Sequence, residues 1–243
     1  MREDLRIHIT PVGYDFSRVI DPLIKAKADK VYFILHETDR GQSKFLNKIK
    51  KELDSKLPQI KTKSYYLDIW DLYSCIQKIK EIITKEEGNR IFINVSTGTK
   101  ITAIAGMLAC MSWGATPYYV KFVNPSESAI NTIRREEVTD RDDLPVFEIN
   151  KPKSEYLDIL SLIEKKGGKL KKKYLIKALE EMKIIPERNE DGNELSIYAK
   201  HGRLRPILYS MTNEFGLIKS ETERRGYVFL TEQGRKALKI FGS

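Results

Sequence analysis

Short apolar runs alternate with amphipathic segments along the first half of the chain. Apolar runs predict strands at residues 31–35, 91–95 and 118–123, and alternating polar and apolar residues predict one at 6–10. A further strand is predicted at residues 63–67. Apolar residues spaced three and four apart predict helices at residues 16–28, 43–57, 70–84 and 101–113. This alternation indicates an α/β fold with an open, mostly parallel sheet covered by helices on both faces. In such sheets, ligands bind beyond the carboxyl ends of the strands, near a change in strand order.

The alternation stops after residue 123. Residues 130–135 and 146–149 have an extended pattern, and the charged segment 136–143 between them predicts a loop. Pro152 and its flanking lysines interrupt the periodicity at residues 150–153, which is typical of a linker. The sequence therefore predicts a first domain at residues 1–150 and a second domain at residues 154–243.

The second domain has the order helix, helix, helix, hairpin, helix. Helices are predicted at residues 154–166 with Ser154 as the N-cap, at 170–182 and at 196–215. Strands at 217–221 and 227–230 flank a turn, and Thr231 caps a last helix at 232–241. This is the order of a winged helix-turn-helix, and residues 227–238 closely resemble the wing strand and following helix of winged-helix regulators.

The positive charge is concentrated in the second domain. Residues 1–150 carry a net charge of +2, and residues 151–243 carry the remaining +7 of the overall +9. In helix-turn-helix modules the third helix enters the major groove and the wing contacts the backbone or the minor groove. The predicted DNA contacts at those positions are Lys171, Lys172, Lys200, His201, Arg203, Arg205, Tyr209, Arg224 and Arg225. The alternative is a winged helix that serves dimerisation or protein contact.

Composition excludes several other classes of protein. The hydrophobic fraction of 41% excludes wholesale disorder, and no apolar run approaches the roughly 18 residues of a membrane span. The amino terminus enters a strand without a signal peptide, which indicates a cytoplasmic protein with no membrane partner. Two cysteines in apolar helical contexts and three scattered histidines predict neither a metal site nor a bound cofactor.

The turn Ser96-Thr97-Gly98-Thr99-Lys100 is the segment that points most directly to chemistry. It follows a predicted buried strand and opens a helix rich in small residues, so its amide groups and the helix dipole favour an anion such as phosphate. The turn lacks the upstream glycine of a Walker A motif, and the chain has no GxGxxG dinucleotide-binding motif. The two commonest classes of protein with such a turn, Walker A nucleotide-binding proteins and dinucleotide-binding Rossmann proteins, are therefore disfavoured.

The segment Asn94-Val95-Ser96-Thr97-Gly98-Thr99-Lys100 resembles the signature of the CARF domain, the Rossmann-like sensor of CRISPR-associated proteins. Gly13-Tyr14-Asp15 followed by Arg18 resembles the first-loop feature of the same family. The resemblance covers about residues 5–150, and the winged helix extends it to the CARF–winged-helix regulators. One departure is Thr97, which replaces the first glycine of the usual pair and changes how closely a ligand approaches the turn.

This resemblance implies a ligand and an assembly. CARF domains form homodimers that bind a cyclic oligoadenylate, usually the four-adenylate ring, across the twofold axis. The residues that the resemblance implies as ligand-binding are Pro11, Gly13, Tyr14, Asp15, Arg18, Asn94, Ser96, Thr97, Gly98, Thr99 and Lys100. Taken singly, the glycines are also explained as turn residues, Tyr14 as a packing residue and Lys100 as a solvated lysine.

The interpretation that follows is a cytoplasmic, homodimeric, CRISPR-associated transcription regulator that senses cyclic oligoadenylate and binds double-stranded DNA. The sequence lacks the RxxxxH motif of HEPN ribonucleases and a PD-(D/E)xK-like cluster. The main alternative is a ring nuclease that cleaves its own ligand, with Lys100 and Ser96 stabilising the phosphate and the winged helix as a dimerisation scaffold. A third alternative is a scaffold that binds no ligand.

Overall fold

The computed structural model describes residues 4–13, 15–38, 40–122, 138–189, 191–223 and 226–242. The chain divides into two compact units, Met1–Ile149 and Asn150–Ser243. Of the expectations from sequence, Tyr14, the extended segment at residues 130–135, and Arg224 and Arg225 lie outside the described residues.

The first unit is a mixed α/β structure around one sheet. Its strands are β1 (Arg6–Pro11), β2 (Lys30–His36), β3 (Lys61–Leu67), β4 (Arg90–Asn94), β5 (Thr116–Phe122) and β6 (Val138–Asp143). Its helices are α1 (Phe16–Lys25), α2 (Arg40–Lys56), α3 (Leu72–Lys85) and α4 (Lys100–Trp113). Within the described residues the strands form one sheet in the order β3-β2-β1-β4-β5-β6, and every pairing is parallel except that of β5 with β6. The predicted mostly parallel α/β fold is confirmed.

Helices cover both faces of this sheet. On one face, α1 and α2 pack against Val31 and Phe33 of β2. His8 pairs with Val31 on one side and with Phe92 on the other, so these residues share that face. Ile93, one residue further along β4, points to the opposite face, where a Cβ added to Gly106 of α4 would lie 3.1 Å from it. The strands are therefore buried from both sides, as continuous apolar runs require.

Local sequence explains where these helices begin and end. Asp15, Asp71 and Thr99 are the N-caps of α1, α3 and α4, and each side chain accepts a backbone amide hydrogen of the first turn. Helix α4 ends at Gly114, which adopts the left-handed conformation that terminates helices at low steric cost. Helix α1 ends at Lys25, three residues earlier than its apolar pattern predicts.

One expectation for the end of the first unit was wrong. The charged segment expected as a loop at 136–143 contains strand β6, which pairs antiparallel with β5. Charged residues suit an edge strand because one side of it faces water, so the charge concealed the strand. Residues 146–149, expected to be extended, form no strand, and the amide of Ile149 donates to the carbonyl oxygen of Met111 at 3.3 Å.

The second unit is a set of helices around a small antiparallel sheet. Its elements are α5 (Ser154–Lys165), β7 (Lys169–Lys171), α6 (Lys172–Glu181), α7 (Ile197–Tyr209), a π-helical turn (Ser210–Glu214), β8 (Ile218–Ser220), β9 (Tyr227–Leu230) and α8 (Glu232–Phe241). Strand β9 lies between β7 and β8. The core of this unit is built from the inward faces of the helices, with Ile159, Leu175, Leu204 and Val228 among its buried residues.

The helices and strands of the second unit begin or end differently from the prediction in three places. Residues expected at the start of the second helix form β7 instead, because Leu170 pairs with Val228 of β9. Lys153 rather than Ser154 is the N-cap of α5, and no side chain caps that helix. The third helix ends in the π-helical turn instead of continuing regularly to Phe215.

None of the helices in the described part of the chain combines the length and apolar character needed to cross a membrane.

Candidate functional site

The turns that carry the sequence motifs lie at the change in strand order. Strand β1 pairs with β2 on one side and with β4 on the other. After β1 the chain continues through α1 to β2, toward one edge of the sheet. After β4 it continues through α4 to β5, toward the other edge. The turn at residues 12–15 and the turn at residues 95–99 therefore flank the switch point, where open α/β sheets bind their ligands.

These two turns are in direct contact. The hydroxyl of Thr97 donates to the carbonyl oxygen of Pro11 at 2.6 Å, and both residues are buried. A Cβ atom added to Gly13 would lie 2.9 Å from the backbone nitrogen of Gly98. Gly98 itself has a φ of +81°, and a Cβ atom there would lie 2.6 Å from both the Cβ of Pro11 and the Oγ1 of Thr102. Both glycines are therefore required by the close approach of the two turns.

Asn94, at the end of β4, holds the turn at residues 95–99 in place through hydrogen bonds. Its side chain is fully buried, and its Nδ2 donates to the carbonyl oxygen of Arg18 at 2.9 Å. Its Oδ1 accepts the amide hydrogen of Ser96 at 2.9 Å. The Oγ of Ser96 accepts the amide hydrogen of Val120 at 2.6 Å. Asn94 and Ser96 thus tie the turn to α1 and β5.

Helix α4 begins at the mouth of this site with its amide groups organised by a capping box. The Oγ1 of Thr99 accepts the amide hydrogen of Thr102 at 3.1 Å, and the Oγ1 of Thr102 accepts that of Thr99 at 2.9 Å. Thr99 Oγ1 also lies 3.2 Å from the carbonyl oxygen of Ile69, which places the loop after β3 beside the helix start. Lys100 is exposed and forms no hydrogen bond or ion pair with the described residues. A helix start with no acidic residue in its first turn and an exposed lysine attracts anions.

Asp15 and Arg18 form the side of the site nearest α1. The Asp15 carboxylate caps α1 by accepting the amide hydrogen of Arg18 at 3.2 Å, and it lies 3.6 Å from the Nε of Arg18. The Arg18 guanidinium lies 5.7 Å from the centre of the Tyr119 ring on β5. Arg18 is therefore held against β5, with its carboxylate partner at the helix start.

A buried and uncharged layer lies within the sheet near these turns. The Nδ1 of His8 is 3.2 Å from the hydroxyl of Tyr118, and both side chains are fully buried. Burial, together with the smaller effects of the nearby Arg141 and Arg6, lowers the pKa of His8 to about 3. Burial also raises the pKa of the Tyr118 hydroxyl. Both groups are neutral at physiological pH, so the sheet contributes packing here rather than charge.

The structure separates the residues expected to bind a ligand into two groups. Pro11, Asn94 and Thr97 are buried and hold the turns in place. The residues that remain partly or fully accessible are Gly13, Asp15, Arg18, Ser96, Gly98, Thr99 and Lys100.

Sequence reasoning missed several supporting groups. Thr102 was detectable, because a threonine three residues after Thr99 fits the spacing of a capping box. The carbonyl of Ile69 and the amide of Val120 carry no sequence signal, since any residue supplies these backbone groups. Trp70, which follows Ile69, is 65% exposed and was not considered.

Two lysines expected to contact DNA have internal partners. Lys172 is 6% exposed, and its Nζ donates to the carbonyl oxygens of Glu221 and, at 2.9 Å, of Glu223. It therefore holds the chain between β8 and β9 rather than facing outward. Lys200 Nζ lies 2.7 Å from a carboxylate oxygen of Glu180, and hydrogen bonding to that carboxylate raises the pKa of Lys200. The burial of Lys172 corrects the expectation that it faces outward, whereas the phosphate contact expected of Lys200 stays a prediction.

The other expected contacts in the second unit lie on its surface. Lys171, Arg203, Arg205 and Tyr209 are exposed, and His201 is half-buried. Neither Arg203 nor Arg205 forms an ion pair with the described residues. Lys171 Nζ lies 5.4 Å from the centre of the Tyr227 ring.

Comparison with known families and proteins matches the first unit. Residues 6–125, just under half of the chain, match the family model described as HFX_2341_N:-like, N-terminal. Uncharacterized protein MJ1513 of Methanocaldococcus jannaschii is 33% identical over an alignment of 127 residues, and the match covers 47% of this chain and 37% of that protein. The chain thus spans little more than a third of the length of the curated relative that it matches.

Three solved structures are similar over most of this chain. Csm6 of Enterococcus italicus, bound to cyclic hexa-2'-fluoro-hexa-dAMP, has a TM-score of 0.44 and 13% identity over 88% of this chain and 57% of its own. Protein VC1899 of Vibrio cholerae has a TM-score of 0.42 and 13% identity over 97% of this chain and 64% of its own. Can2 of Sulfobacillus thermosulfidooxidans, in complex with cyclic tetra-adenylate, has a TM-score of 0.42 and 15% identity over 98% of this chain and 64% of its own. At these TM-scores and identities the likenesses carry no argument about function.

Proposed function

We propose that the first unit is a CARF-like sensor of cyclic oligoadenylate and that the second unit is a winged helix-turn-helix that binds DNA. The protein would then be a ligand-responsive transcription regulator. The observation that carries the sensor proposal is the contact of the two motif-bearing turns, at residues 11–15 and 94–100, across the switch point of the sheet. A nucleotide fits such a crevice because its phosphates meet backbone amides at a helix start.

The accessible groups of the site match the parts of an adenylate. Lys100 and the first amides of α4 suit a phosphate, and the exposed Gly98 lets a ligand approach the backbone closely. Trp70 is 65% exposed in the loop whose Ile69 carbonyl contacts Thr99. A flat, exposed indole ring on a loop that contacts the helix start suits stacking on an adenine.

The surface of α4 supports a homodimer. This helix is apolar on nearly all sides, and Ile104 is 49% exposed while Ile101, Met107, Leu108 and Met111 are half-buried. A helix that is hydrophobic all round normally lies within a core or an interface. Because α4 starts at Lys100, pairing about a twofold axis that passes close to the helix starts would bring two anion sites together. A cyclic oligoadenylate, which has repeated phosphates and adenines, suits such a twofold site.

The second unit supports the DNA-binding part of the proposal through its element order and charge. Helices α5, α6 and α7 precede the hairpin of β8 and β9, and β7 completes the small sheet, as in a winged helix. Arg203 and Arg205 are exposed on α7, which corresponds to the recognition helix. The net charge of +7 on residues 151–243 favours a polyanion partner.

Binding without cleavage is favoured by the role of Ser96. Its Oγ accepts the Val120 amide hydrogen at 2.6 Å, which ties this oxygen to β5. Lys100 offers a point charge that can bind phosphate. The site therefore supplies contacts for a ring ligand rather than a catalytic pair.

One experiment separates the regulator from the ring nuclease. The full chain is incubated with labelled cyclic tetra-adenylate, and the products are separated by chromatography. In parallel, binding of a labelled DNA duplex is measured by fluorescence anisotropy at increasing salt. Salt-dependent DNA binding with intact ring after many hours is expected, whereas rapid conversion to linear product without DNA affinity contradicts the proposal.

A further inference from the structure

An open groove of about 570 Å³ lies in the second unit between α7 and the segment where β8 ends and the hairpin turn begins. The wall formed by α7 contains Tyr198, Gly202, Arg205 and Tyr209, which are spaced four, three and four residues apart and so lie on one face of the helix. Ser220, Glu221 and Thr222 form the opposite wall.

Gly202 is unusual because it stands in the interior of α7. Glycine destabilises a helix interior relative to alanine, since it loses more backbone freedom on folding. A Cβ atom added to Gly202 would meet no heavy atom of the described residues within 4 Å, and its φ is not positive. The packing of the protein therefore gives no reason for glycine at this position. A binding partner that contacts the backbone of α7 at this position would explain the glycine.

We propose that the sugar-phosphate backbone of one DNA strand lies in this groove against Gly202, with Arg205 contacting a phosphate. The inference rests on the proposed DNA-binding function and specifies which face of α7 makes the contact. The two tyrosines, 67% and 62% exposed, would flank the strand and offer hydroxyl groups to phosphate or sugar. A strand that contacts the helix backbone directly has no room for a side chain at position 202.

The charges of the groove suit an anion. Arg205 is exposed and forms no ion pair with the described residues, and His201 also lines the groove. The groove contains one carboxylate among its described lining residues, that of Glu221. A carboxylate oxygen of Glu221 accepts the amide hydrogen of Tyr227 at 2.7 Å, so this acid is engaged in closing the hairpin.

The two arginines of α7 are not equivalent in this arrangement. Residues two apart on a helix are separated by about 200° around its axis. Arg205 lines the groove, whereas Arg203 does not. We therefore expect Arg205→Ala to weaken DNA binding more than Arg203→Ala, although both changes remove one positive charge.

The test uses the full chain and a fluorescein-labelled DNA duplex of random sequence, about three helical turns long, because backbone contacts do not depend on sequence. Gly202→Leu should weaken binding about tenfold, which is the effect of losing one charge-assisted contact. Gly202→Ala should weaken it less, while raising the melting temperature of the second unit by about 2–8 °C. Gln233→Leu, which places the same leucine side chain at an exposed position of α8 outside the groove, should bind as the wild type does.

The outcomes distinguish the inference from the function on which it rests. A wild-type chain that binds no DNA contradicts both. Wild-type binding that Gly202→Leu leaves unchanged overturns the inference alone, as does an equal loss in Arg203→Ala and Arg205→Ala. A thermally stabilised Gly202→Ala that binds DNA more weakly supports it, because misfolding cannot produce that combination.

Discussion

Replacing Gly98 by alanine tests the contact of the two turns that form the candidate ligand site. Gly98 has a φ of +81°, a left-handed conformation that costs an L-residue about 1–2 kcal/mol. The added Cβ would also lie 2.6 Å from Pro11 Cβ and from Thr102 Oγ1. Since unstrained carbon contacts are about 3.5–4 Å, the turn must move by roughly 1 Å.

The free-energy cost of moving the turn follows from the hydrogen bonds that it would stretch. The movement would stretch the Thr97–Pro11 hydrogen bond of 2.6 Å or the capping box of Thr99 and Thr102, each worth about 1 kcal/mol. We therefore expect Gly98→Ala to lower the free energy of unfolding of the first unit by about 2–5 kcal/mol in total. It should also weaken ligand binding, because the accessible backbone of the turn moves.

Gly88→Ala is the matched control. Gly88 has a φ of +85°, but a Cβ there would meet nothing within 4 Å, so the change costs only the backbone conformation, about 1–2 kcal/mol. Urea denaturation of both variants, followed by fluorescence, measures the difference. Equal destabilisation by the two substitutions would refute the close contact of Gly98 with Pro11 and Thr102.

Three further predictions follow from individual side chains. Lys100→Ala should weaken cyclic oligoadenylate binding about tenfold in calorimetry without lowering stability, whereas Lys51→Ala, at an exposed position of α2, should change neither. The pKa of His8 is about 3 in the folded chain and ordinarily 6.5, so the unfolded chain takes up this proton first as pH falls. Stability of the first unit should therefore fall between pH 6.5 and 3 by at most about 1.4 kcal/mol per pH unit, as measured by urea denaturation, and His8→Gln should lack this contribution. Lys172→Ala should destabilise the second unit by about 1–3 kcal/mol and speed amide exchange in the hairpin, and the exposed Lys173→Ala should do neither.

The parallel sheet could be predicted because β2, β4 and β5 contain short apolar runs between polar turns and β1 alternates polar and apolar residues. The motif at residues 94–100 could also be placed at a strand end and helix start, because the Gly98 turn and the Thr99 cap have local sequence signatures. Strand β6 could not, because its charged residues are compatible with either a loop or an edge strand. Only its pairing with β5 distinguishes the two.

The roles of several site residues depend on contacts distant in sequence. Asn94 fits the motif of a ligand-binding turn, yet its side chain binds the carbonyl of Arg18, 76 residues away, and is fully buried. Lys172 fits a basic helix start, yet it binds the carbonyl of Glu221, 49 residues away. A residue pattern gives the chemistry that a side chain offers, whereas its partner depends on the tertiary fold.

Calorimetric titration of the full chain with cyclic oligoadenylates of different ring sizes tests the central claim most directly. We predict saturable binding of one ring size, with one ring per two chains, and a large loss of affinity in Lys100→Ala. A chain that binds none of the rings, or binds them equally well without Lys100, would contradict the assignment of the turns at residues 11–15 and 94–100 as a cyclic oligoadenylate site.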